Sequence, residues 1–434
     1  MLAAAVSPNP WMIVPFGLLL TTIALAPLFF GSWWNRHYPK VAVALGTITV
    51  AYYLIGLQAA PRVVETAKEY FSFICLVGSL FVVSGGIHVG VRGGATPREN
   101  LVLLGMGALL SNVLGTTGAS MLLIRPWIRM NRFRLAAHHV VFFIFIVSNV
   151  GGALTPIGDP PLFLGYLKGV PFWWVAEHCW PMWAVALGVL LTFFFLVDSL
   201  NFRRMPPEIQ TQARQADSWT FQGCTNLLFL GVILGAVFLE HPRLLREGLM
   251  LGAAVGSYFT TPKPIHHANA FNFHPVKEVA ILFVGIFATM MPALDWLEAN
   301  ASRFAAPTPT SFFWGSGTLS SVLDNAPTYL SFLSLGLGAF AAPATAAQAS
   351  GVPIHPEVAV LLGDPSFARL LVALSMGAVF FGANTYIGNG PNFMVKAIAE
   401  EQRCPTPSFL GYIFRFTIPF MLPTLALIWW LFFR

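Results

Sequence analysis

The sequence has little charge and few cysteines. Only 10% of its 434 residues are Asp, Glu, Lys or Arg, whereas a soluble domain carries about 25%. The 24 Lys and Arg residues leave a net charge of +6 but are scattered between apolar runs, so no nucleic-acid surface is expected. The four cysteines lie far apart, without a CxxC pair or a histidine at metal-ligand spacing, so neither disulfides nor zinc is expected.

The sequence also has no nucleophile and base at the spacing that an enzyme requires, and no cofactor-binding loop. No repeated segment resembles the filter ring of a channel. We therefore expect neither an enzyme nor a channel, and no cofactor.

Long apolar runs are what the chain does have, with 56% hydrophobic residues and 39 Phe. A helix needs about 20 apolar residues to cross roughly 30 Å of hydrocarbon. Runs of suitable length predict ten spans, at 11–30, 41–57, 71–88, 137–165, 182–199, 225–240, 246–262, 278–297, 367–395 and 409–432. The prediction is an all-α polytopic membrane protein whose first partner is the lipid bilayer, and we expect it in the bacterial plasma membrane.

Two further segments, 101–123 and 311–338, are apolar at both ends and polar in the middle, where they read SNVLGTTGAS and SSVLDNAPT. The loops on either side of the first, 89–100 and 124–136, together carry six arginines. Positively charged loops favour the cytoplasmic side, so both loops are expected inside. That places 101–123 as a re-entrant hairpin, and 311–338 as its counterpart from the other side.

A short repeat links the two halves of the chain. Residues 152–161 read GALTPIGDPP and residues 382–391 read GANTYIGNGP, with six of ten positions identical. Five spans in each half would invert the second half, so we divide the chain into half-repeats at 1–224 and 225–434. Inverted-repeat transporters bind their substrate near the bilayer midplane, where helices are broken. The breaks at 151–161 and 382–391 are therefore expected to form the site.

Polar side chains at the two hairpin tips and the two breaks are the candidate ligands. Unwound carbonyls, amide oxygens and hydroxyls suit Na⁺, whereas amide N–H groups and helix N-termini suit carboxylates. The candidates for binding an ion or substrate are Ser111, Asn112, Thr116, Asn149, Thr155, Asp159, Ser321, Asp324, Asn325, Asn384, Thr385 and Asn389.

Two acids, Asp159 and Asp324, lie deep in the predicted spans or hairpins. A charged residue at the membrane centre costs about 2.5–3.5 kcal/mol on insertion scales, so an intramembrane carboxylate is by default a functional candidate. Both are candidate Na⁺ ligands. Asp can also cap a half-helix, and Pro160 directly after Asp159 is typical of a first helical turn. Ion ligand and helix cap both remain open for each acid.

These residues resemble the ion transporter superfamily of dicarboxylate and citrate carriers, arsenite permeases and NhaD-type sodium/proton antiporters. The run from Asn149 to Asp159, NVGGALTPIGD, is similar to the N-x-G-G-x-x-T-P-I-G-D motif of the NhaD type, and DNAP at 324–327 is similar to its D-N-x-P hairpin tip. The resemblance implies an ion-coupled transporter with a helical scaffold, a mobile transport domain and often a homodimer. It also implies ion-site roles for Asp324, Asn325, Asn149, Thr155 and Asp159.

The first hairpin departs from the NhaD type, because Ser111 and Asn112 stand where that type has Asp-Asn; this pair resembles the Ser-Asn-Thr tips of the dicarboxylate carriers. Two functions therefore remain. One is a Na⁺ or Li⁺/H⁺ antiporter, in which one carboxylate site holds either cations or protons. The other is a Na⁺-coupled carrier of citrate, a dicarboxylate or another small anion. Neither tip contains Lys or Arg, which favours cation exchange.

Overall fold

A computed structural model describes residues 8–92, 95–213, 218–239, 244–304, 306–344, 358 and 361–434. The helices, in chain order, are α1 Val14–Phe29, α2 Gly31–Ala51, α3 Ala60–Gly85, α4 Pro97–Met130, α5 Ala137–Ile146, α6 Pro160–Leu167, α7 Trp174–Arg203, α8 Pro207–Ala213, α9 Asn226–Val237, α10 Leu245–Thr260, α11 Lys263–Ala268, α12 His274–Ala299, α13 Pro309–Ser320, α14 Asn325–Ala344, α15 Pro365–Phe381, α16 Gly390–Glu401, α17 Phe409–Tyr412 and α18 Leu422–Phe432. Strands β1 His88–Arg92 and β2 Ser218–Gln222 form one antiparallel pair.

The chain is an integral membrane protein built of helices, as predicted. Within the described ranges, eight helices are long and apolar enough to cross a membrane, counted with the 3-10 or π-helical turns that extend α1, α2 and α15 and that join α17 to α18. One of the eight is α4, described next. Helices α2 and α3 begin at Gly31 and Ala60, about ten residues before the predicted spans. Their first turns contain polar and charged residues, such as Asn35 and Arg36 in α2 and Arg62 and Glu65 in α3, so hydropathy alone misses these turns.

Helix α4 folds back on itself. A straight helix of 34 residues would be about 50 Å long, yet the backbone N–H of Ala95 donates to the carbonyl of Met130 (3.0 Å). The reversal is at Gly115, whose φ of 74° and ψ of 156° are not helical. This backbone region is open almost only to glycine. The two ends of the segment thus lie at one face of the protein.

Helices α13 and α14 form a second pair of antiparallel arms joined at residues 321–324. Gly336, late in α14, lies against the ring of Phe312 at the start of α13. Gly338 packs against the carbonyl of Glu298 at the C-terminal end of α12, the helix that precedes α13. Both ends of this segment therefore also lie at one face.

Packing groups the helices into two units. We call α1, α2, α3, α9, α10 and α12 the scaffold bundle, and α4 to α7 with α13 to α18 the core unit; each packs mainly within itself. Helices α2 and α12 can approach closely because Gly285 has no Cβ. A Cβ at this position would lie only 2.9 Å from the Cβ of Ala42. Small residues allow this close packing where lipid provides no hydrophobic drive between helices. The units meet where α3 contacts α4 and α6, and where α12 contacts α14.

The ends of the elements define two faces. The basic face holds both ends of α4, which meet where Ala95 bonds to Met130, and the β1–β2 pair. It also holds the C-terminal end of α3 and the N-terminal end of α12, where Phe271 packs on Gly85. The opposite face holds the N-terminal end of α3, where Arg62 pairs with Asp295 near the C-terminal end of α12 (3.0 Å).

Candidate functional site

Asp159 lies at the centre of the core unit and has no exposed surface. Its Oδ1 accepts hydrogen bonds from the hydroxyl of Thr116 (2.9 Å) and from Nδ2 of Asn389 (3.1 Å). Its Oδ2 accepts from Nδ2 of Asn325 (2.6 Å). One carboxylate therefore joins the first break, both hairpin tips and the second break.

The local backbone leaves the Asp159 carboxylate free for these partners. Helix α5 ends at Ile146 and α6 begins at Pro160, with Asp159 at the N-cap position, but its side chain makes no capping hydrogen bond. Asp324 behaves differently, since its Oδ1 accepts from the backbone N–H of Ala326 (3.0 Å) at the start of α14. Of the two acids, Asp324 is thus the one whose side chain caps a helix.

In the first half, the hairpin tip is tied to its break through Asn112 and Thr155. Nδ2 of Asn112 donates to the carbonyl of Gly151 (2.7 Å), and the backbone N–H of Leu154 donates to Oδ1 of Asn112 (2.9 Å). The hydroxyl of Thr155 donates to the carbonyl of Asn112 (2.6 Å) and accepts from the N–H of Gly158 (3.0 Å). These bonds satisfy backbone groups that a broken helix leaves without partners.

The second half repeats this pattern. The hydroxyl of Thr385 donates to the carbonyl of Ser321 (2.6 Å) and accepts from the N–H of Gly388 (3.1 Å). Nδ2 of Asn384 donates to the hydroxyl of Ser321 (2.9 Å). The division into inverted half-repeats stays a prediction, and these matched bonds support it.

Three asparagines connect the two breaks to each other. Nδ2 of Asn149 donates to Oδ1 of Asn392 (2.7 Å). Nδ2 of Asn389 donates to Oδ1 of Asn149 (3.2 Å) as well as to Asp159. The breaks are therefore in direct contact, and the predicted ligands of both halves line one centre.

Ser111 stands apart from this centre. Its hydroxyl donates to the carbonyls of Gly107 and Val147 (both 2.8 Å) and so attaches the first hairpin to the end of α5. The other eleven predicted residues lie in the tips and breaks that contact one another around Asp159.

A second match between the halves explains the arrangement and was present in the sequence. SNVLGTT at 111–117 aligns with SSVLDNA at 320–326, so that Thr116 corresponds to Asn325 and Gly115 to Asp324. Thr116 and Asn325, which correspond, both donate to Asp159. Each half thus supplies one acid, but from a different element: the break in the first half and the tip in the second.

Two amide oxygens near this centre have no hydrogen-bond donor, Oδ1 of Asn325 and Oδ1 of Asn384, although both atoms are buried. A buried acceptor without a partner costs about 1–3 kcal/mol. Both belong to the second half, one at its tip and one at its break. Such oxygens are suitable ligands for a hard cation, together with the nearby carboxylates.

A cavity of about 230 Å³ lies between the scaffold bundle and the core unit and reaches this centre. Since one water needs on the order of 10–15 Å³ by the same measure, the cavity has room for more than a bare ion. Thr117, Asp324 and Asn389 line its inner end, while Asn35 and Glu278 line it near the basic face. Its lining includes no Lys, Arg or His among the described residues.

Glu278 stands next to Lys277 near the start of α12, a pairing that by itself is typical of a surface position. The structure places it in the cavity wall, with a side chain 35% exposed and the ring of His274 at 3.9 Å. No local pattern in the sequence indicates this position, because the cavity wall is assembled from elements that are distant in the chain.

A buried cluster around Asp198 was also missed, because Asp198 falls at the edge of a predicted span. The carboxylate pairs with Arg134 and with Nε2 of His138 and His139 (both 3.1 Å), and it accepts from Asn100 (3.0 Å). His138 and His139 stand at the start of an apolar run, a position typical of the membrane interface. The structure buries both, at 6% and 0% exposure. The cluster ties α7 to both ends of the first hairpin and to the start of α5.

This cluster has the residue types of a metal site, but its hydrogen bonds fit a closed ionic network better. The backbone N–H of Ala136 donates to Nδ1 of His139 (3.2 Å), so in the neutral ring Nε2 carries the proton and donates to Asp198. A metal requires that nitrogen without its proton. The guanidinium of Arg134 already neutralises the carboxylate.

Comparison with known proteins supports a membrane transporter. A family model described as "Putative citrate transport" matches residues 5–433. Relatives include an uncharacterized transporter of Mycobacterium tuberculosis, 24% identical over 394 residues, which are 84% of this chain and 87% of the relative. A 46 kDa membrane protein of Mycobacterium leprae is 25% identical over 374 residues, 79% of this chain and 81% of the relative.

Proposed function

The chain belongs over nearly its whole length to the family described as "Putative citrate transport" and is a membrane transporter; from that premise we propose that it exchanges Na⁺ or Li⁺ for protons at Asp159 and Asp324. The observation that carries the proposal is the environment of Asp159. It is fully buried, and its hydrogen-bond partners Thr116, Asn325 and Asn389 are all uncharged. A buried charge without a counter-charge is costly, so the site favours occupation by a cation or a proton.

The ligands around the acids support a small, hard cation. Asn325 and Asn384 each have a side-chain oxygen without a donor, and such oxygens replace the water shell of a cation. No described Lys, Arg or His forms an ion pair with Asp159 or Asp324, so no protein cation competes for these oxygens.

Exchange follows when one site serves both ions. Burial in a low-dielectric site favours the protonated form of an acid over the charged form. A carboxylate in such a site is neutralised either by a proton or by a bound cation, and each displaces the other. Movement of the core unit between the two faces then carries cations one way and protons the other.

Cation-coupled transport of citrate or a similar carboxylate is the second candidate, and the size of the cavity favours it. The N-terminal residues Gly390 and Pro391 of α16 line the cavity, and a helix N-terminus attracts carboxylates. Against it stand Asp324 and Glu278 in the same lining, with no described cationic side chain to offset them. A free tricarboxylate would be repelled unless cations accompanied it.

Purified protein in liposomes separates the candidates. We expect the internal pH to change when Na⁺ or Li⁺ is added, and to stay constant with K⁺, citrate or succinate. Asp324→Asn keeps the size of the side chain but removes the charge and the titration. This variant should lose cation-driven proton movement at every pH, whereas Asp324→Glu should keep part of it with a shifted pH optimum.

Two results would contradict antiport. If Asp324→Asn exchanged cations for protons at the wild-type rate, Asp324 would be excluded as the exchange group. Na⁺-dependent citrate or succinate uptake by the wild type, with no proton exchange, would favour the anion carrier instead. Insertion and folding of each variant are checked by expression and size-exclusion profile, since a neutral amide costs less in the membrane than a charge.

A further inference from the structure

The two faces of the protein differ in how closely the scaffold bundle and the core unit meet. From the basic face, the cavity extends past Asn35 and Glu278 to Asp324 and Asn389. At the opposite face the units are in direct contact, since α14 packs on the C-terminal end of α12 through Gly338 and Glu298. The candidate site is thus accessible from the basic face in this conformation.

Two polar contacts close the opposite face between α6 of the core unit and the scaffold bundle. Nζ of Lys168 lies 2.5 Å from Oε1 of Glu69 in α3, and the two side chains are only 17% and 11% exposed. The hydroxyl of Tyr166 donates to the carbonyl of Val237 at the end of α9 (2.7 Å). Helix α6 begins directly after Asp159, so these contacts are on the element that carries the central carboxylate.

We propose that the Lys168–Glu69 ion pair is a latch that holds the opposite face closed and must break before the site opens to that face. Of the ion pairs among the described residues, this is the one that joins the two units. Arg62 and Asp295 both belong to the scaffold bundle, and Lys396 and Glu400 belong to one helix. Arg134 and Asp198 both belong to the core unit.

The latch depends on the proposed function in one respect, since it requires that the site open to the two faces in turn. It does not depend on which ion is transported. If the core unit moves relative to the scaffold bundle, α6 moves past α3. The Lys168–Glu69 bond cannot survive that movement, whereas bonds within one unit can. Removing the latch therefore lowers the population of the conformation described above.

Side-specific labelling of a single cysteine tests the latch without any transport measurement. Met394 lines the cavity from the core unit, so Met394→Cys reports access from the basic face. Cys224 is exposed and is replaced by serine, while Cys75, Cys179 and Cys404 are buried. Membrane vesicles of either orientation are treated with an impermeant maleimide, and the labelling rates from the two faces are compared.

Lys168→Met and Glu69→Gln should each lower the ratio of basic-face to opposite-face labelling by roughly two- to fivefold, the range that a partly exposed ion pair supports. The double variant Lys168→Glu with Glu69→Lys should restore the wild-type ratio. Arg246→Gln is the matched control, because the ion pair of Arg246 with Glu247 in α10 has similar burial but lies within the scaffold bundle.

Unchanged labelling ratios in both single variants would overturn the latch, even if these variants transported poorly. A failure of the charge-swapped double variant to restore the ratio would also overturn it, because a latch requires only that the charges be opposite. If liposomes that contain the wild-type protein showed no Na⁺/H⁺ exchange, the proposed function would be contradicted, but the labelling result would still test the latch.

Discussion

Replacing Asp159 by Asn should abolish exchange while the protein stays folded. The change removes one negative charge from the buried centre and turns one carboxylate oxygen into an amide donor. In the wild type, Nδ2 of Asn325 donates to Oδ2 of Asp159 (2.6 Å). If the NH₂ group of the new side chain takes the place of Oδ2, two donors face each other. Rotation of the Asn325 amide by half a turn resolves the conflict, because its Oδ1 has no donor and can accept. The hydrogen bonds of Thr116 and Asn389 to the remaining oxygen are unchanged.

The structure sets the magnitude of both effects. With every hydrogen bond retained or replaced, we expect a change in the free energy of unfolding within about 1 kcal/mol. Loss of the carboxylate removes its contact with a bound cation, for which we take the scale of a hydrogen bond to a charged group, roughly 1.5–3 kcal/mol. That difference weakens cation binding about 10- to 150-fold, and the proton-binding group disappears with it.

Three variants measured together make the test specific. Na⁺-driven pH change in liposomes and thermal unfolding in detergent are recorded for Asp159→Asn, for Asn389→Asp and for the double exchange. Asn389 is the counterpart of Asp159 in the second half and donates to it (3.1 Å). The double variant therefore moves the charge by about one hydrogen-bond length and should recover part of the exchange.

If Asp159→Asn exchanged Na⁺ for protons as fast as the wild type, the reasoning would be refuted, because the Asp159 carboxylate would then take no part in exchange. A large loss of stability together with loss of exchange in all three variants would also refute it, because Asp159 would then be a structural residue. The compensating rotation of Asn325 is tested separately with Asn325→Ala in the Asp159→Asn background, which should lower stability further.

Two further predictions concern the frame of the site. Asp198→Asn leaves Arg134 buried without its carboxylate and should lower stability by about 3–5 kcal/mol, measured by thermal unfolding, whereas Asp364→Asn at an exposed helix cap should change it little. In Gly115→Ala, the alanine must adopt a φ of 74°, and its Cβ comes to 3.2 Å from the carbonyl of Ile157. This substitution should lower the free energy of unfolding by about 1–3 kcal/mol. Gly105→Ala in the same helix is the control, since its Cβ has open space and should not lower stability in the same assay.

Much of the fold could be predicted from the sequence, because lipid requires long apolar helices and polar interruptions are conspicuous against them. The reversal of α4 was indicated by its polar middle and by the arginines on both sides, whereas its exact place at Gly115 came from the structure. Local signals failed where distant residues decide the structure. Asp198 sits at the edge of an apolar run, and only the fold brings Arg134, His138 and His139 to it.

The roles of the two acids show the same limit. Sequence alone left open for each acid whether it caps a helix or faces an ion. Pro160 suggested a cap at Asp159, but the side chain bonds instead to three segments that lie 43 to 230 residues away. Asp324, in the tip, caps the next helix through Ala326. No local pattern contains those long-range partners, so this distinction required the structure.

The unequal placement of the acids in the two halves limits the charge of the site. Gly115 stands where the second half has Asp324, and Asn389 stands where the first half has Asp159. Had each half carried both acids, four carboxylates would meet in one buried centre, and their mutual repulsion would disfavour ionisation. With two, the centre is neutralised by two monovalent charges. We therefore expect at most two cations or protons to occupy these carboxylates together. The double variant Asp159→Asn with Asp324→Asn should bind neither Na⁺ nor Li⁺ in isothermal titration calorimetry. Binding that persists in this double variant would place the cation site elsewhere.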